Sequence, residues 1–372
     1  MLPGQNIGDT MYFRFDRKMF NNIYENRRVL LTGDTGFKGS WLRYWLIRLR
    51  ADVRGYSLLP EEYPNHFEML GYTRKKNEDI RDLENLQKVF KKVKPEIVFH
   101  LAAQPLVLRS YQDPAGTFAT NVQGTVNLLE CCRKTPSVKA VVVVSSDKCY
   151  ENREDGFSFR ESDPMGGYDP YSASKGCTEL VVSSYRRSFF AEKGPLLASA
   201  RAGNVIGGGD WAPNRLVPDL MKAAAEKRIV KLRSPDAIRP WQHVLEPLSG
   251  YLMLGQLLFE GRNDLAQAWN FGPSGNYQTV GETAVALQKH WNAIQFEADP
   301  PKDAPHEAQN LFLDCTKANF LLKWKSVWDF ETTIEKTAVW YKNFYTSNCA
   351  HTNLNLGQYW NDAKEKGLPW LI

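Results

Sequence analysis

Short apolar runs bounded by charged or turn-forming residues recur along the first half of the chain and set its architecture. Lys139-Ala140-Val141-Val142-Val143-Val144 is β-branched, apolar on both faces and too short for a helix, which predicts a central strand of a parallel sheet. Arg28 to Thr32, Asp52 to Leu58, Glu96 to Gln104 and Leu196 to Val205 read as further strands. Segments of helical composition separate them: from the first strand's turn to about Arg50, about 83–93, from Thr120 onward, and Tyr171 to Phe190. That alternation over residues 28 to 203 predicts a doubly wound parallel sheet. From about 265 the pattern shifts to short strands and helices rich in tryptophan (Trp269, Trp291, Trp324, Trp328, Trp340), with a break at Pro300, Pro301 and Pro305. A smaller second domain is expected there. The predicted division is a poorly ordered leader over 1–27, a dinucleotide-binding domain over 28–203 to which parts of 236–265 return, and a mainly substrate-binding α/β domain over 204–372.

Composition changes this picture little. At 372 residues the chain is long enough for one large or two modest cores. Its formal charge of +5 is small for that length and no dense basic tract occurs, which argues against nucleic acid or an anionic membrane as partner and leaves a phosphate-bearing ligand compatible. The cysteines (131, 132, 149, 177, 315, 349) form no CxxC pair and several fall inside expected strands or helices, so reduced thiols and no structural metal are expected. No apolar run approaches a membrane span, and no apolar stretch follows the first charges of the amino terminus. A soluble, cytoplasmic protein is expected.

The chemistry gathers around Ser145 to Lys175. Ser145-Ser146-Asp147-Lys148-Cys149-Tyr150 follows the central strand, at the carboxyl edge where open α/β sheets bind ligands. Tyr171 and Lys175 lie four apart on one predicted helix face. An ammonium beside a phenol stabilises the phenolate, so the pair is expected to make Tyr171 a general base. Upstream, Gly33-Asp34-Thr35-Gly36-Phe37-Lys38-Gly39 has the spacing GxxGxxG between a strand and a helix, suited to holding a pyrophosphate at the helix amino end. Gly33, Thr35, Gly36, Phe37, Lys38 and Gly39 are its expected cofactor contacts. The second strand ends in Ser57-Leu58-Leu59-Pro60 with Glu61 and Glu62 beyond, without the acid that ordinarily binds the adenosine ribose; the lack of an arginine to take a 2′-phosphate favours NAD over NADP. Asp79 and Ile80 are placed near adenine. Leu101, Ala102, Ala103 and Gln104 let backbone approach the cofactor, and Asn121 is either a helix cap or a buried brace. Downstream, Arg201, Asn204, Arg215, Arg239, Trp241 and His243 supply cations and an aromatic face for a diphosphate and a ring.

Together the motifs resemble the extended short-chain dehydrogenase/reductases that act on nucleotide sugars, and within them the CDP-glucose 4,6-dehydratase group. The specific stretches are Ser146 to Tyr150, Gly207-Gly208-Gly209-Asp210-Trp211 and Arg239-Pro240-Trp241-Gln242-His243. The resemblance implies a Rossmann-like fold, NAD as cofactor, CDP-glucose as substrate and an internal redox cycle. It makes Tyr171, with Lys175, the base for the sugar 4-OH, Ser146 a hydrogen-bond partner of that oxygen, and Asp147 the acid for the departing 6-OH. Lys148 stands where related dehydratases carry Glu, either as the C5 base or as a positioning charge. A homo-oligomer, dimer or tetramer, is implied as well. A 4-epimerase on the same fold and a non-catalytic NAD-binding sensor are the competing readings.

Overall fold

The carboxyl ends of two neighbouring strands, Thr32 and His100, mark where the sheet reverses its winding. The computed structural model describes residues 19–61, 63–273, 275, 277–299 and 310–371; the expectations for the leader over 1–18, for Glu62 and for Pro300, Pro301 and Pro305 lie outside them. In chain order the elements that position the site begin with β1 (Arg28–Thr32), α1 (Phe37–Arg48), β2 (Asp52–Tyr56), α2 (Leu83–Val93) and β3 (Ile97–His100). There follow α3 (Gly124–Arg133), β4 (Ala140–Val144), α4 (Pro170–Ser188) and β5 (Leu196–Ala202). The second half adds α5 (Leu216–Ala225), β6 (Ile229–Leu232), α6 (Leu245–Phe259) and β7 (Ala268–Phe271). It closes with α7 (Val280–His290), β8 (Gln295–Ala298), α8 (Phe330–Ser347) and α9 (Thr352–Glu365).

Six strands form an all-parallel sheet in the order β7-β5-β4-β3-β1-β2. The chain winds outward from β1 to β2, then returns to β3 on the other side of β1. A crevice at that switch point is where such sheets take ligands. The all-apolar β4 is buried along its whole length, as a central parallel strand must be. Its helices start on side-chain caps: Asp82 accepts from Asn85 N, and Asp169 from Ser172 N with Pro170 in the first turn.

One face of the sheet packs Leu86, Phe90, Leu128, Leu129 and Val182 from α2, α3 and α4. The other face packs Trp41 and Trp45 of α1, most of α6, and residues from far along the chain: Trp324, Trp328, Tyr359 and Trp370. Residues 19 and 20, expected in a poorly ordered leader, lie in this core: Met19 and Phe20 are buried, and Phe20 stacks on Trp370 at 5.2 Å. The tryptophans beyond 265 are likewise divided. Trp269 sits in the sheet itself, on β7, while Trp291 and Trp340 join Leu220, Met221 and Leu287 in a separate core between α5, α7 and α8. Beside it β6 and β8 pair as a small parallel ribbon.

A buried carboxylate ties α6 to the carboxyl-terminal segment. Glu246 at the start of α6 accepts from Val327 N at 2.9 Å, Trp328 N at 2.8 Å and Tyr359 OH at 2.9 Å. Burial pushes its carboxyl up to about 7, against those hydrogen bonds.

Candidate functional site: two joined cavities at the sheet edge

Two cavities open at the carboxyl edge of the sheet, one of about 410 Å³ over the switch point and one of about 1020 Å³ between β4, β5 and the second half of the chain. Phe37, Lys38, Ser145, Tyr171, Asp210 and Arg215 line both, so they mark the junction.

The smaller cavity is built on the glycine loop. Gly33 has φ +74°, and a side chain there would stand 2.6 Å from Ala102 N; one at Gly39 would stand 2.0 Å from Gly33 O. The loop, α1 and the end of β3 thus pack backbone on backbone, leaving the amino end of α1 open to the cavity. Gly33, Thr35, Gly36, Phe37, Lys38, Gly39, Asp79, Ile80, Leu101, Ala102, Ala103, Gln104, Tyr171 and Lys175 all line it. These residues fit an extended dinucleotide laid across the switch point. Asn121 does not line it. It is a brace behind the wall, not a cap: Oδ1 accepts from Gln104 N at 2.8 Å, and Nδ2 donates to Gln104 O at 3.1 Å and Ser174 Oγ at 2.8 Å.

No acid stands at the tip of β2. The carboxylate nearest to it is Asp34, buried beneath the loop, where it accepts from Arg74 Nη2 at 2.6 and 2.8 Å, Arg43 Nη1 at 3.0 Å and Ser57 Oγ at 2.8 Å. Arg74 also donates to Glu78, at 2.7 Å, and Arg54 pairs with Glu78 at 2.5 Å. Sequence reading missed this network, whose members are scattered from 34 to 78. Arg81, also missed, lines the smaller cavity and pairs with Asp79 at 2.6 Å.

At the junction, Ser146 caps a short turn over 147–149: its Oγ accepts from Lys148 N at 3.2 Å and donates to Asp147 Oδ1 at 3.0 Å. Asp147 lines the larger cavity, 3% exposed, and its Oδ2 has no hydrogen-bond partner among the described residues. Lys148 lines the same cavity. Lys175 donates to Val144 O at 3.4 Å. Burial pushes the Tyr171 phenol up to about 12, against a hydrogen bond with Ser146. A lysine one turn away does not by itself bring the phenol toward neutrality, because desolvation of the phenolate is the larger effect. Burial also pushes the Lys175 ammonium down to about 8.

The larger cavity takes Asn204, Arg215, Arg239 and Trp241 into its wall. Arg109, Lys231 and Arg233 line it too. The alternation of Lys231 and Arg233 at the end of β6 was the signal available for the last pair. Two expected substrate contacts are corrected. Arg201 is 3% exposed, lines neither cavity and pairs with Glu179 at 2.8 Å behind α4. His243 is fully buried with its ring 4.7 Å from Trp328 and 6.0 Å from Trp41, and burial pushes its imidazole down to about 3, so it is a neutral packing residue. Among the described residues no group of histidine, cysteine or acidic side chains could hold a metal, and no helix is long and apolar enough to cross a membrane.

A doubly wound sheet with a glycine loop at its switch point and a serine-tyrosine-lysine set at its edge defines a dinucleotide-binding enzyme of the short-chain dehydrogenase/reductase type. The GDP-mannose 4,6 dehydratase family matches residues 30–337, and the chain belongs to that family. It is 47% identical over 330 residues to the CDP-glucose 4,6-dehydratase of Salmonella typhimurium, covering 86% of this chain and 92% of that protein. Among solved structures it is similar to the dTDP-glucose 4,6-dehydratase of Streptomyces venezuelae with NAD bound, with TM-score 0.72 and 25% identity over 85% of this chain and 97% of that one. It is similar also to the UDP-glucose 4-epimerase of Thermus thermophilus in complex with NAD, with TM-score 0.72 and 26% identity over 85% of this chain and 99% of that one.

Proposed function

We propose that this chain is an NAD-dependent 4,6-dehydratase that converts CDP-glucose to CDP-4-dehydro-6-deoxyglucose and water, on the way to deoxysugars of surface polysaccharide. The observation that carries this over a 4-epimerase is Asp147 Oδ2, buried without a partner on the sugar side of Tyr171. An epimerase needs a base at the 4-OH but no acid beside it. The 47% identity to the Salmonella enzyme supports the cytidine nucleotide.

Bound in the smaller cavity, NAD supplies the acceptor for the C4 hydride and then the donor that reduces C6. The rest falls to the chain's own side chains. Tyr171 accepts the 4-OH proton, with the Lys175 ammonium stabilising the phenolate and Ser146 holding the 4-oxygen. The 4-ketone acidifies the C5 proton. Asp147 delivers a proton to the departing 6-OH, and Lys148 lies on the same wall, placed for the C5 side of the elimination. Arg215, Arg239 and Arg109 face the diphosphate, while Trp241 and Asn204 enclose sugar and base. The 204–372 half supplies most of this larger cavity, and the enzyme works in the cytoplasm as a homo-oligomer.

The reading is tested by supplying NAD with CDP-, UDP-, dTDP- or GDP-glucose in turn. A 4-keto chromophore in base and loss of one water by mass are expected from CDP-glucose. Epimerised sugar without water loss, or bound NAD without any turnover, would replace the dehydratase by the epimerase or the sensor. Asp147→Asn and Lys148→Ala provide a finer check: each is expected to leave the first oxidation intact and slow elimination about a hundredfold. Reduced cofactor then accumulates at 340 nm in the first turnover; an equal loss of cofactor binding would make the residue structural.

A further inference from the structure

Tyr171, Lys175 and Glu179 are spaced four apart on α4, so all three share one helix face. Glu179 is 3% exposed and lines neither cavity. Its Oε2 accepts from Arg201 Nη2 at 2.8 Å and from Ser199 Oγ at 2.8 Å. Arg201 reaches it from β5 and is fixed in turn, donating to Tyr150 OH at 2.7 Å and to the Glu161 carbonyl at 3.2 Å. Tyr150 donates onward to Asn270 Oδ1 on β7 at 2.7 Å. A buried ion pair is a weak device for stability, since apolar residues of similar size commonly serve as well. What distinguishes this pair is its place, about one helical turn along α4 from Lys175 and two from Tyr171.

We propose that Glu179, held by Arg201, is a positioning residue that keeps the Lys175 ammonium charged and directed at Tyr171. The proposal rests on the reading of Tyr171 as the base for the 4-OH. Lys175 needs such support, because burial lowers its ammonium to about 8 while Glu179 pulls the other way; the nearby Cys149 thiol is pushed up by burial and carries no charge to add. The remaining groups around it offer little help. Lys38 on α1 is a like charge, whose own ammonium is lowered to about 8 by burial and then by Lys175. His100 on β3 is kept neutral, pushed down to about 3 by burial. Val144 contributes one carbonyl from β4. Glu179 can do the work only as an anion. Burial favours its neutral form, and Arg201 with Ser199 overrides this, holding the carboxyl below its usual range.

The test is Glu179→Gln, the isosteric neutral variant. It leaves Arg201 buried without its partner, so the double variant Glu179→Gln/Arg201→Met, which removes both charges, is prepared alongside. Each protein is made with lysine labelled at the ε-carbon, and the Lys175 resonance is assigned by its loss in Lys175→Arg. In both neutral variants the Lys175 midpoint is expected to fall by about one pH unit, which lowers the rate of C4 oxidation near pH 8 about fivefold. The alkaline limb of that rate moves with the midpoint, KM for the nucleotide sugar holds, and Glu179→Asp restores the limb. A midpoint and limb unchanged in either folded neutral variant would overturn the proposal. So would failure of both variants to fold, which would make the pair a folding determinant. If the parent has no turnover with CDP-glucose the functional reading fails instead, and the Lys175 midpoint still decides this one.

Discussion

Tyr171→Phe is expected to lower kcat about a thousandfold while NAD binding persists, because the variant keeps the ring that lines both cavities and loses only the proton acceptor. The check is single-turnover absorbance at 340 nm with CDP-glucose, beside a titration of NAD against intrinsic fluorescence. The phenol carries an energetic burden that its surroundings must relieve: burial places it at about 12, far from a working base. The Lys175 ammonium and the positive charge brought by oxidised cofactor both act to lower it. The rate should therefore rise with pH from the acid side until Lys175 begins to lose its proton, near the value of about 8 to which burial lowers it. Were Tyr171→Phe to turn over at the parent's rate, the base would have to be sought elsewhere and Asp147 would be the first suspect.

Arg74→Met should cost the fold about 2–3 kcal/mol, the usual penalty for removing hydrogen bonds to buried charged groups that keep other partners. Arg74 is the hub of the network under the glycine loop, its Nη2 shared between both Asp34 oxygens and its Nη1 donating to Glu78, both of which are buried. Asp34 keeps Arg43 and Glu78 keeps Arg54, so the damage should be local first: NAD affinity falls before the sheet melts. A urea titration followed by far-UV dichroism measures the first effect, and the fluorescence titration with NAD the second. An unchanged urea midpoint would show that Asp34 and Glu78 are satisfied without Arg74.

The fold of residues 28 to 202 was legible because parallel strands buried on both faces write themselves as apolar runs, as Val141 to Val144 do. The lining of the smaller cavity was legible for the same kind of reason: a glycine loop between strand and helix and small residues at a strand end let backbone pack on backbone, as Gly33 and Ala102 do. Arg201 was not. A cation in a strand of small residues looks like a ligand contact, and only three-dimensional pairing sets it on the Glu179 side of β5, away from Ala200 and Ala202 in the opposite core. His243 failed similarly, since nothing local says that two indoles enclose it. The return of β7 to the sheet had no local signal at all, because its pairing with β5 lies some seventy positions back along the chain.

The meeting of Phe20 with Trp370 has a consequence for biosynthesis. A chain leaves the ribosome amino end first, and here the glycine-loop half cannot complete its core from what has emerged. It waits for β7 to finish the sheet, for Val327 and Trp328 to engage Glu246, and for Trp370 to cover Trp45 and Phe20. Completion of that core thus waits until residue 370 has been made. A message cut short even slightly before residue 370 would yield an open-cored product for the cell's proteases, in place of a half-sized cofactor-binding protein.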